Sequence, residues 1–103
     1  MSYKFRPAKL VNGFIERFTT VKFEQNRSIY EKDLERWLKQ RGILQQNEID
    51  TKGKGFIALA TIDTWLATPL PTGKIDQEPY IGDQLRAAVS FAVKNGCDMF
   101  VVE

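Results

Sequence analysis

Histidine is absent from the 103-residue chain, and cysteine occurs once, as Cys97. The first absence removes the side chain that ordinarily titrates near neutral pH, and with it every Ser–His or Cys–His nucleophile pair. Together the two leave out the common zinc-ligand sets and any internal disulfide framework. Long apolar runs are missing too. Ala87 to Val93 is only seven residues long and is interrupted by Ser90, far short of the roughly 18 apolar residues a membrane span needs. Met1-Ser2-Tyr3-Lys4-Phe5-Arg6-Pro7 has no apolar core of a secretory signal, and a lone thiol suits a reducing compartment. The expected location is therefore the cytoplasm, with no membrane partner.

What is present is the composition of a folded domain. At 43% hydrophobic and 27% charged residues, the chain lies outside the regime of disorder, and its length fits a single globular domain over residues 1–103. The net charge of +2 is mild, but its distribution is uneven. Residues 1–54 hold twelve Lys/Arg against seven Asp/Glu, net +5, and residues 55–103 hold three against six, net −3. Such asymmetry is one mark of a nucleic-acid-facing half, although it often vanishes once the halves interleave in space.

Hydrophobic periodicity sets the expected elements. Leu10, Val11, Phe14, Ile15 and Phe18 form one stripe of a helix over 7–18, with Pro7 in its first turn. The competing reading is a hairpin turning at Asn12-Gly13. Thr19 to Glu24 alternates as a half-buried edge strand. Ser28 and Glu31 read as a capping box for a helix with Tyr30, Leu34, Trp37 and Leu38 on its apolar stripe, ended by Gly42. Lys52-Gly53-Lys54-Gly55 reads as a loop, and Phe56 to Asp63 as a strand apolar on both faces, hence covered on both. Residues 68–79 hold three prolines and make a long loop, a length that goes with function or mobility. Tyr80 to Val93 gives a last helix stopped by Asn95-Gly96, and Met99 to Val102 a docked terminal strand. The expected fold is thus α/β or α+β, in the order α-β-α-β-α-β, with a thin three-stranded sheet covered by helices. Its strands are parallel through right-handed crossovers, or antiparallel or mixed.

No catalytic constellation stands out. Asp50, Asp63, Asp76, Glu78 and Asp83 show no paired spacing and read as surface carboxylates. Cys97 follows a helix C-terminus, where the dipole disfavours a thiolate, and reads as a small core residue. Lys52-Gly53-Lys54-Gly55 lacks the phosphate-loop spacing and enters a strand instead of opening a helix. Trp37, Trp65, Phe91 and Phe100 sit in apolar stripes and read as core instead of a stacking platform. No cofactor is expected; an enzyme here would need a carboxylate-bound Mg²⁺ or a substrate supplying its own acid and base.

The expected function is a small non-enzymatic binding or regulatory domain acting through a protein partner. The edge strand around Thr20, Lys22 and Glu24 would extend a partner's sheet or pair with a second copy, and Pro69, Leu70 and Pro71 would present an extended face. The alternative is a nucleic-acid-binding module using the basic first half, with Lys32, Arg36, Lys39, Lys52 and Lys54 on phosphates. In that reading the helix–strand–helix order, followed by a Lys/Gly loop and strand, loosely resembles winged-helix modules. No recognition helix stands between Gly42 and Thr51, however, and the last third has no place in that plan.

Overall fold

Asn12 and Gly13 both take positive φ, 51° and 82°, the backbone of a two-residue type I′ turn, and the chain reverses there. In the computed structural model, which describes residues 2–17, 27–43 and 55–102, this turn joins β1 (Ser2–Val11) to β2 (Phe14–Arg17). The two strands are antiparallel, with Val11 opposite Phe14. The helix expected over 7–18 is therefore a hairpin. The local Asn-Gly turn, together with long-range pairing along β1, prevails over a five-residue periodicity that a central Gly already weakened.

β3 (Arg27–Tyr30) pairs with the first half of β1, setting Tyr3 opposite Ile29. β5 (Met99–Val102) pairs along the other side of β1 from Phe5 to Ala8. β2 and β3 thus share one side of β1. Their partner positions Ala8 and Phe5 are three apart on β1, whereas Arg17 and Arg27 are ten apart in sequence. Pro7 falls in the interval. The Ala8 carbonyl accepts from the Asp98 N–H at 3.2 Å on the β5 side, so the neighbouring Pro7 backbone faces the other way, where the ladder is interrupted. A missing N–H costs no bond there.

β4 (Gly55–Ala58) pairs with β5 and, among the described residues, is the last strand on that side of the sheet. Among the described residues the sheet is antiparallel throughout and four strands across at its widest, with β1 and β5 at its centre. It is wider than the three strands expected, and the element order β-β-β-α-β-α-α-β replaces strict alternation. With a hairpin where the first helix was expected, the winged-helix likeness lapses. The expected strand over 19–24 lies outside the described residues.

Three described helices cover one face: α1 (Glu31–Gln40), α2 (Leu59–Ala67) and α3 (Pro79–Lys94). α1 starts with Tyr30 at its N-cap and no side-chain cap, because Ser28 is a strand residue paired with Lys4. Its C-terminus closes with Ile43 N–H on the Leu38 carbonyl and Gly42 N–H on the Lys39 carbonyl, a Schellman motif needing positive φ at Gly42, which is 72°. α3 ends the same way through Gly96 and Cys97, whose N–H groups reach Val93 and Ala92. α2 corrects the long strand expected over 56–63. Only Gly55–Ala58 is extended, after which Ile62 and Trp65 recur at helical spacing and both are buried.

Alternation along the strands delivers Tyr3, Phe5, Ile29, Ile57, Phe100 and Val102 to the helix-covered face, where they meet Leu34, Trp37, Leu38, Ile62, Trp65, Ile81 and Leu85 in one buried cluster. Phe5 and Phe100 meet edge to face at its centre, with ring centroids 5.9 Å apart and planes at 76°, a geometry favoured by the ring quadrupoles. Among the described residues no helix is long and apolar enough to cross a membrane.

Candidate functional site

The cations expected to line α1 are interlaced with carboxylates. Arg36 lies 3.0 Å from Asp33 and 3.3 Å from Glu78, and Lys39 lies 3.1 Å from Glu35. Lys32 is exposed and, among the described residues, makes no ion pair. Asp33 also accepts the Tyr80 hydroxyl. Burial first, then that hydrogen bond and the charge of Asp33, push the Tyr80 phenol up to about 12. This face of α1 is thus largely occupied in holding α1 to the start of α3. Lys52 and Lys54 lie outside the described residues, as do Thr20, Lys22 and Glu24.

The loop between α2 and α3 is fastened to the same helix. Arg41 donates to Asp76 at 2.9 Å and to the Trp37 carbonyl at 3.1 Å, and its guanidinium lies 3.8 Å from the Trp37 ring centroid. Asp76 also accepts the Glu78 N–H at 3.0 Å, closing a local turn. Pro69 and Pro71 are exposed and Leu70 is half-buried. Next to this tie, Lys39 and Gln40 of α1 face Gly73, Lys74, Ile75 and Gln77 across a shallow cleft of about 470 Å³. The Gln40 Oε1 and Trp37 Nε1 atoms are buried without a hydrogen-bond partner among the described residues.

The carboxylates weighed as catalytic are dispersed. Asp76 is held by Arg41, Glu78 by Arg36 and Asp83 by Arg86, while Asp63 is exposed on α2; Asp50 is outside the described residues. Among the described residues no three His, Cys, Asp or Glu side chains group closely enough to share a metal ion. Cys97 is buried in the core cluster as expected. Burial raises its thiol pKa and Asp98 adds to the rise, against a smaller lowering by Lys9 than burial imposes.

The opposite face of the sheet is built differently. The register sets Arg6, Val101 and Phe56 side by side across β1, β5 and β4, and sets Ala8, Met99 and Ala58 side by side two residues on. Lys4 and Ser2 continue the row along β1, with Tyr30 opposite Ser2. No described helix packs on this side, since the core residues of all three lie against the other. Phe56 and Tyr30 are left 55% and 65% exposed, flanking Lys4, which is exposed, and Arg6, which is half-buried and engaged within the protein. Among the described side chains of this face there is no carboxylate.

Sequence reasoning placed both of these aromatics in the core. Tyr30 fits the apolar stripe of α1 but precedes the helix and points from β3. Phe56 lies on a strand apolar on both faces, which implied cover on both. The buried aromatics Trp37, Trp65 and Phe100 are core as expected. A signal was available in the alternation of Ser2, Lys4 and Arg6 with Tyr3, Phe5 and Pro7, which marks a strand with one solvated face. No family model, curated protein or solved structure matches this chain.

Proposed function

We propose that this chain is a non-enzymatic binding module that takes its partner on the sheet face against which no described helix packs. The observation that carries the reading is the pair of exposed aromatics, Phe56 and Tyr30, standing on that face, while Tyr3, Phe5, Ile29, Ile57 and Phe100 are packed away on the other; Phe14 of β2 is exposed as well. Burying an aromatic is worth about 1.5–3 kcal/mol relative to leaving it in water, so two of them left exposed on one side of the sheet is a cost that a bound partner recovers. A chain without histidine, whose described carboxylates are scattered, supports contact over bond chemistry. Among the described residues β4 is the terminal strand, which places a row of backbone donors and acceptors beside Phe56 for strand addition.

The test is recovery of the tagged chain from its own cells beside the Phe56→Asp variant, with melting temperature as a control. The reading expects wild type to retain a polypeptide or nucleic acid that Phe56→Asp releases at unchanged stability. Equal retention by both forms, or retention of nothing, contradicts it.

A further inference from the structure

Resting on that reading, we infer that the partner is a second copy of this chain, joined antiparallel along β4 so that the two sheets become one. The Leu59 N–H donates to the Asp98 carbonyl at 3.1 Å. Backbone groups alternate in direction along a strand, so those of Gly55 and Ile57 face β5, whereas those of Phe56 and the N–H of Ala58 face away from it. Among the described residues, the Phe56 N–H and C=O and the Ala58 N–H have no hydrogen-bond partner. Both residues are exposed.

Edge strands ordinarily carry charges or proline that deter pairing. β2 and β3 are as short as β4, but β2 carries Glu16 and Arg17, and β3 carries Arg27. β4 reads Gly55-Phe56-Ile57-Ala58, with neither a charge nor a proline. Its sequence also suits pairing with its own reverse. A two-fold axis at Phe56 sets the N–H of each copy on the Phe56 carbonyl of the other, closing two hydrogen bonds from one position. The two Phe56 rings then lie side by side on the face without a described helix, a favourable cross-strand pair. Ile57 falls opposite Gly55 of the other copy, large beside small, and no like charges meet along the strand. One short strand from each copy makes a small contact, of the kind found in weak, transient complexes, so the association depends on concentration.

Sedimentation velocity of the full chain, from micromolar to millimolar concentration, tests this. The weight-average coefficient is expected to climb from that of a monomer towards that of a dimer. Ala58→Pro is the decisive variant. Ala58 has φ -73°, which proline adopts without strain, and its N–H points away from β5, so the substitution removes no hydrogen bond among the described residues. It places a ring on the pairing edge and should weaken association by more than about tenfold at wild-type melting temperature. Phe56→Ala should weaken it about tenfold, because the symmetry deletes two rings at once. A chain that stays monomeric throughout, or an Ala58→Pro variant that associates like wild type, overturns the inference. If Phe56→Asp nevertheless releases a different polypeptide or a nucleic acid from the native cell, the docking surface stands and only its occupant was wrong.

Discussion

Arg41 and Asp76, 35 residues apart in sequence, meet at 2.9 Å and fasten the loop before α3 to the C-cap of α1. Only about a tenth of the Arg41 side chain and a quarter of the Asp76 side chain remain exposed. Charge-assisted bonds of this kind, partly withdrawn from water, are worth more than a surface pair.

Removing that tie should destabilise the domain. Arg41→Ala also strips the guanidinium from the Trp37 ring, 3.8 Å away, so a loss of about 1–3 kcal/mol is expected. Urea denaturation of Arg41→Ala, Asp76→Ala and the double variant checks this. The double variant should lose clearly less than the two single losses added together, because both delete one interaction.

Tyr80 sets a pH window. Its phenol is raised from 10.0 to about 12, chiefly by burial and then by donation to Asp33. The protonated form is therefore favoured by folding, so the associated stability is complete below pH 10 and is lost as pH rises through about 12. Tyr80→Phe cannot donate to Asp33 or titrate, so its stability should lack this part of the decline between pH 10 and 12. Paired thermal melts across that range give the comparison, and ultraviolet absorbance at high pH reads the phenolate directly.

Cys97 should be a slow thiol. It is 6% exposed, and burial raises its pKa, so little thiolate is available to an alkylating or disulfide reagent. Reaction in buffer should be much slower than in denaturant. Comparable rates in the two would show that the segment after α3 opens readily.

The terminal strand is central to stability. β5 lies between β1 and β4, and Phe100 is fully buried against Phe5. Phe100→Ala should cost about 3–5 kcal/mol, a large share of the 5–15 kcal/mol that typically holds a domain together. Deleting residues 99–103 removes the strand that joins β4 to β1 and should leave the chain unfolded by circular dichroism.

The parts legible in sequence are those whose rules are local. α1 and α3 follow their apolar stripes and stop at Gly42 and Gly96, where the left-handed C′ position makes the glycine informative. β5 was legible because an apolar run following such a stop has to be buried. The misreadings came where partners far away in sequence decide. Leu10, Val11 and Phe14 fit a helical period, yet they pair across the Asn12-Gly13 hairpin, and the preceding Phe5–Ala8 stretch of β1 is held by β5, about 90 residues downstream. Phe56 to Ile62 alternate, yet only Gly55–Ala58 finds a strand to pair with, and the chain then turns into α2.

The candidate site was hidden for a related reason. Whether Phe56 and Tyr30 are core or surface depends on which sheet face the helices choose, and nothing near either residue encodes that choice. The cations of α1 drew attention in sequence, and two of the three proved to be held by Asp33, Glu35 and Glu78.

Recovery of the tagged chain from its own cells, beside a Phe56→Asp variant of equal melting temperature, tests the central claim most directly. The account predicts that the wild type retains a partner that Phe56→Asp releases. Equal retention by both forms, or retention of nothing, would contradict it.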